Sequence, residues 1–136
     1  MKFFQWLRGR QTVRSAMLSL YRRGLARGEK RNRKGAMDDY TSVIDAADAP
    51  ADVRAMALYN RALLHVSRKD FRRATDDLQA VLAIELRRHD IKSAATRTLD
   101  RIRRQQGIHG ASANDAAHLP HNRTAATAAT STDSRA

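Results

Sequence analysis

From Val53 onward the apolar residues Val53, Met56, Ala57, Leu63 and Leu64 recur at the steps of a helix, until Lys69-Asp70 breaks the pattern. Phe71, Ala74, Leu78, Val81 and Leu82 then resume it. Two helices with one buried stripe each are therefore predicted over 53–68 and 71–85, and the short turn between them makes them antiparallel. The same alternation predicts a first pair over 13–27 and 34–47 and a fifth helix over 91–106.

The pattern is an internal repeat. Shifting the sequence by 38 positions lays Leu20 to Ala46 over Leu58 to Ile84, with eight of 27 positions identical. The identical pairs are Leu20/Leu58, Tyr21/Tyr59, Arg23/Arg61, Leu25/Leu63, Ala36/Ala74, Asp38/Asp76, Asp39/Asp77 and Val43/Val81, and Asn32/Asp70 is a like-for-like pair. The shift also carries Asp52-Val53-Arg54-Ala55 onto Asp90-Ile91-Lys92-Ser93, which opens a third unit. An Asp before an apolar-periodic run can accept from the free N–H groups of the first turn, so Asp52 and Asp90 are predicted N-caps. The fold class that follows is all-α, a short α-solenoid of two antiparallel hairpins closed by a fifth helix.

Ala57-Leu58-Tyr59-Asn60-Arg61-Ala62-Leu63, then Asp70-Phe71-Arg72-Arg73-Ala74 and Leu78-Gln79-Ala80-Val81-Leu82, resembles a tetratricopeptide repeat. Ala62 stands where that family has a small residue at the helices' close approach, Phe71 at the aromatic opening the second helix, and Ala74, Leu78 and Val81 on its packed face. Gly24, Ala36, Tyr40 and Val43 match in the first repeat. The resemblance implies a concave face lined by the first helix of each pair. It places Tyr21, Arg22, Leu25, Met56, Tyr59, Asn60, Leu63 and Val66 in a partner-binding groove. Their tyrosine and aliphatic groups suit a mostly apolar peptide or helix. Family members that grip a terminal carboxylate use Lys and Asn from three repeats. Here only Asn60 fits, with Tyr21, Leu25, Ala94 and Thr98 in the other places, so that mode is not expected.

The ends change the picture. Residues 1–11 form a basic aromatic N-terminal arm that concentrates Phe3, Phe4, Trp6 and Leu7 beside Lys2, Arg8 and Arg10. Such an arm is expected to cap the solenoid's open end or dock in the groove, or alternatively to contact a membrane surface. The repeat domain occupies 12–106. Residues 107–136, made of Ala, Thr, Ser, Asn and His with Pro120, are predicted to be a disordered tail, and His118 and His121 are incidental to it.

The net charge of +12 is uneven: residues 1–35 carry +10, 36–85 carry −3, 86–110 carry +5 and the remainder none. Arg22, Arg23, Arg27, Lys30, Arg31, Arg33 and Lys34 make a basic patch, and its alternative reading is an anionic partner, either nucleic acid or a membrane surface.

Catalysis is not expected. Cysteine is absent, so thiol chemistry and thiolate metal sites are excluded. The acidic pairs Asp38-Asp39 and Asp76-Asp77 point about 100° apart on a helix and are read as solvated surface. His65 is read as a packed or surface imidazole and not as a ligand. No metal and no cofactor is expected. No apolar run reaches the roughly 20 residues of a membrane-spanning helix. The expected location is cytoplasmic, with peripheral membrane attachment through the arm, or a mitochondrial destination for the acid-free first 28 residues, as alternatives.

Overall fold

The computed structural model describes residues 2–87 and 89–115, with the backbone alone at 6, 7, 10, 11 and 108–115. Among the described residues five helices follow one another: α1 Lys2–Glu29, α2 Arg33–Asp45, α3 Ala51–Ser67, α4 Phe71–Ala83 and α5 Asp90–Asp115. Each packs against the next, and α3 also touches both α1 and α5. The odd helices therefore make one layer and the even helices the other, the short solenoid that the periodicity predicts.

Each hairpin closes in three residues, in the same way both times. Arg31 and Lys69 take left-handed backbone, φ 60° and 59°. Arg31 N–H donates to the Gly28 carbonyl and Asn32 N–H to that of Arg27, while Lys69 and Asp70 repeat this on Val66 and His65. This is a Schellman ending, which satisfies carbonyls that the helix leaves free. The next residue starts the next helix: the Asn32 side chain accepts from Gly35 N–H at 3.0 Å and Asp70 from Arg73 N–H at 3.2 Å.

Two clusters make the core, and α3 serves both. Val53 and Ala57 join Ala36, Tyr40 and Val43 of α2, with Met17, Leu18 and Leu25 of α1 packed against them. Ala55, Leu58 and Ala62 instead join Ala74, Leu78 and Val81 of α4 and Ala95, Leu99 and Ile102 of α5. In the first hairpin a Cβ added to Gly24 would lie 2.7 Å from the Tyr40 ring. The second hairpin has Ala62 and Leu78 at the equivalent positions, both buried. Small against large is conserved in sum: one hairpin pairs no side chain with a ring, the other a methyl group with a leucine.

Several expectations need correction. Asp52 is not an N-cap: Pro50 holds that position, with Arg54 N–H donating to its carbonyl, and Asp52 lies inside the first turn. Its carboxylate is turned to Arg14 instead. Asp90 is not an N-cap either: it is the first residue of α5, and the His89 carbonyl accepts the first bond, from Ser93 N–H.

Residues 2–11 are continuous with the first repeat helix, because α1 runs unbroken from Lys2. The segment has no proline, and Gly9 costs a helix only about 1 kcal/mol. Phe3 and Phe4 are 67% and 74% exposed, while the side chains of Trp6 and Leu7, expected to share in capping or docking, lie outside the described residues. At the other end α5 extends past Gln106 to Asp115. The remainder of the predicted tail, with His118 and His121, lies outside the described residues.

Candidate functional site

Stacking repeats in register sets residue i beside residue i+38 on the next odd helix. The inner layer demonstrates this directly. Arg14 of α1 makes a two-pronged bond to Asp52 of α3, Nη1 to Oδ1 at 3.0 Å and Nη2 to Oδ2 at 2.6 Å. Hydrogen bonding to the guanidinium holds the Asp52 carboxyl below its usual range. One turn or two further along, Asn60 Nδ2 donates to the Tyr21 hydroxyl at 3.0 Å and to the Met56 carbonyl at 2.9 Å. Burial pushes the Tyr21 phenol up, against the opposing effect of that bond.

Beside the Arg14–Asp52 pair opens a mostly apolar cavity of about 770 Å³. Met56 of α3, Leu86 of the α4–α5 connection, and Ile91 and Ala94 of α5 provide its apolar lining. Arg14, Asp52, Glu85, Arg87 and Asp90 give its rim both signs of charge. A volume of this order falls within the range of ligand and peptide-anchor pockets.

Of the eight residues predicted for the groove, Met56 alone lines this cavity. Tyr21 and Asn60 are brought together, but in a bond to each other. Tyr21 and Leu25 pack on the first core cluster, and Tyr59 and Val66 on the second. Leu63 is half-buried and Arg22 is exposed. The lining residues outside the expected groove include Arg14, Leu86, Ile91 and Ala94. A usable signal was present, since Arg14, Asp52 and Asp90 stand 38 apart in succession, as do Met56 and Ala94.

The acidic pairs are not uniformly solvated. Asp38 and Asp76 are exposed, but Asp39 and Asp77 are buried at 2% and 6%. In the first hairpin Arg23 Nη2 meets Asp39 Oδ1 at 2.6 Å and Arg27 Nη1 meets the same oxygen at 3.0 Å. In the second, Arg61 bonds both oxygens of Asp77, at 2.9 and 2.7 Å, and reaches back to Thr41 Oγ1 at 3.1 Å. A carboxylate inside a helix pair is held there by a guanidinium that satisfies its lone pairs, which solvent-facing acids do not need.

These bonds also subdivide the basic patch. Arg23 and Arg27 are engaged with Asp39, and Lys34 with Asp38 at 3.3 Å. Arg22, Lys30, Arg31 and Arg33 are exposed and form no ion pair among the described residues.

A second, more polar cavity of about 420 Å³ lies between the hairpins, with Thr41, Arg61, His65, Arg73, Asp76 and Asp77 around it. His65 is 8% exposed, and its Nδ1 is buried without a hydrogen-bond partner among the described residues. Burial lowers its pKa from 6.5, outweighing Asp77 and Asp70, while Arg61 and Arg73 act with burial. The unfolded chain therefore binds this proton first as pH falls, so the neutral imidazole favours folding above about 6.5 and that contribution is lost through the lower folded pKa. Urea unfolding followed from pH 7 towards 5 is expected to show declining stability. The decline in that window should flatten in His65→Gln, and an unchanged slope would refute the assignment.

Among the described residues no group of three or more His, Asp or Glu could hold a metal ion, and no helix is long and apolar enough to cross a membrane. Comparison with protein-family models finds no match, and comparisons with curated proteins and with solved structures find none either.

Proposed function

We propose that the chain is a non-catalytic interaction module of the tetratricopeptide type, which takes an apolar peptide or helix into the inner face of the odd helices. The observation that carries this reading is the apolar cavity of about 770 Å³ on that face, with Met56, Leu86, Ile91 and Ala94 inside and mixed charges at the rim. An apolar floor supplies contact area, and the charged rim sets orientation and excludes wrong partners. The groove proposed here lies nearer the starts of α3 and α5 than the one the resemblance implies. Nucleic-acid binding by the basic patch is the weaker reading, because Arg23, Arg27 and Lys34 already hold carboxylates of their own chain.

Selection of a randomised helical-peptide library on the full chain tests the proposal. Selected peptides are expected to lose at least about tenfold in affinity on Ala94→Arg, which fills and charges the cavity, as one disrupted anchor is worth at least 1.4 kcal/mol. Phe3→Ala should leave them unaffected. Peptides indifferent to Ala94→Arg, or a library that yields none, would overturn the reading.

A further inference from the structure

The described side chains at the start of α1 stand clear of the solenoid. Lys2, Phe3, Phe4, Gln5, Arg8, Gly9 and Thr12 are all exposed, and a Cβ added at Gly9 would meet nothing within 4 Å. Among the described side chains Val13 is the first that is half-buried, and the first packed on the core are Met17 and Leu18. Roughly three helical turns, about 16 Å, thus project beyond the body.

This projection is not a generic polar end. Phe3 and Phe4 are the exposed large hydrophobic residues of the described chain, and their rings meet edge to face at 6.2 Å. Around them Lys2 and Arg8 are exposed cations, and no acid occurs before Glu29. A protein partner for two aromatic rings offers a shaped pocket, normally with opposite charge around it. A rodlike tip with aromatics and only positive charge needs no shaped partner if the acceptor is a fluid interface of opposite charge.

We propose that the first three turns of α1 insert into an anionic lipid surface. Phe3 and Phe4 pass below the headgroups, while the long stems of Lys2 and Arg8 keep their charges at phosphate level. The inner cavity lies on the solenoid body, separate from this tip, and does not enter the proposal.

Co-sedimentation of the full chain with phosphatidylcholine vesicles, with and without about 30% phosphatidylserine, tests this. Binding is expected to the anionic vesicles and to weaken as salt rises from about 50 to 200 mM. The double change F3A/F4A should lose at least about tenfold, since each ring contributes more than that factor when buried. Lys2→Glu with Arg8→Glu should lose about fivefold or more per site. All four positions are exposed, so unchanged melting curves are expected to separate lost binding from lost fold. Trp6, the single tryptophan, reports insertion by a blue-shifted emission in wild type that F3A/F4A abolishes.

Three results would overturn the proposal. One is equal binding to neutral and anionic vesicles, and another is binding that F3A/F4A leaves intact. The third is a wild-type dimer that dissociates in F3A/F4A without any vesicle binding, which would identify a second copy of the chain as the occupant.

Discussion

Asp77→Ala is expected to destabilise the fold by about 3–5 kcal/mol, because it leaves the Arg61 guanidinium in the hairpin without its counter-charge. The side chains of Arg61 and Asp77 are only 20% and 8% exposed, so water replaces little of what is removed. The bond to Asp77 raises the already high Arg61 pKa, and the arginine cannot escape by losing its proton. The equivalent Asp39→Ala should cost less. Its cations Arg23 and Arg27 are 56% and 38% exposed at the side chain and can turn to solvent. Urea unfolding of the two variants measures this order directly. Replacing both members of the second pair, Arg61→Met with Asp77→Leu, is expected to recover most of the loss. A cost under about 1 kcal/mol for Asp77→Ala would make the pair equivalent to an exposed one and refute the assignment.

Gly24→Ala is the second large effect, and its sign opposes helix propensity. Alanine in a helix interior gains about 1 kcal/mol over glycine. Here the added methyl group would stand 2.7 Å from Tyr40 Cε1 and 3.0 Å from Cδ1. Tyr40 is 3% exposed, so its ring has no open space to enter. Overpacking of this kind costs about 1–3 kcal/mol, and a net loss is expected. Adding Tyr40→Leu copies the Ala62 and Leu78 combination of the other hairpin and should make the double variant more stable than Gly24→Ala alone. Thermal melts of the single and double variants decide it. A stabilised Gly24→Ala would mean that the hairpin can open at this point. Burial, with Tyr21, Asp39 and Glu29 nearby, also pushes the Tyr40 phenol up to about 12. The packing should thus persist well into alkaline solution, since a phenol raised in the folded state contributes stability that fades only as pH climbs past 10.

The 38-residue shift was enough to locate five helices and their pairing, because apolar periodicity depends on each residue alone. It also picked out Ala36/Ala74 and Val43/Val81, all of which are buried. The ion pairs were harder to see, for a reason specific to charge. Two adjacent acids look alike in composition, and only a partner across the hairpin decides which is buried. Arg23/Arg61 and Asp39/Asp77 recur together among the identical positions, so the coupling was in the sequence as a joint recurrence. The left-handed turns escaped because the usual marker is glycine, whereas this protein uses Arg31 and Lys69. The cavity escaped because family positions on one helix do not show how far its neighbours stand from it. The length of α1 escaped because its first residues precede the repeated segment and stand out by their aromatic and basic side chains, although no residue from Lys2 to Val13 stops a helix.

The place of α3 between two core clusters, in contact with every other helix, gives the molecule a graded cohesion. A helix at either end can detach by losing one cluster's contacts, while α3 cannot leave without dissolving both. Partial opening therefore proceeds inward from the flanks. The α5 wall of the inner cavity belongs to the part that lets go early, so the shape of that cavity depends on the least secured end of the stack while the central hairpin stays closed.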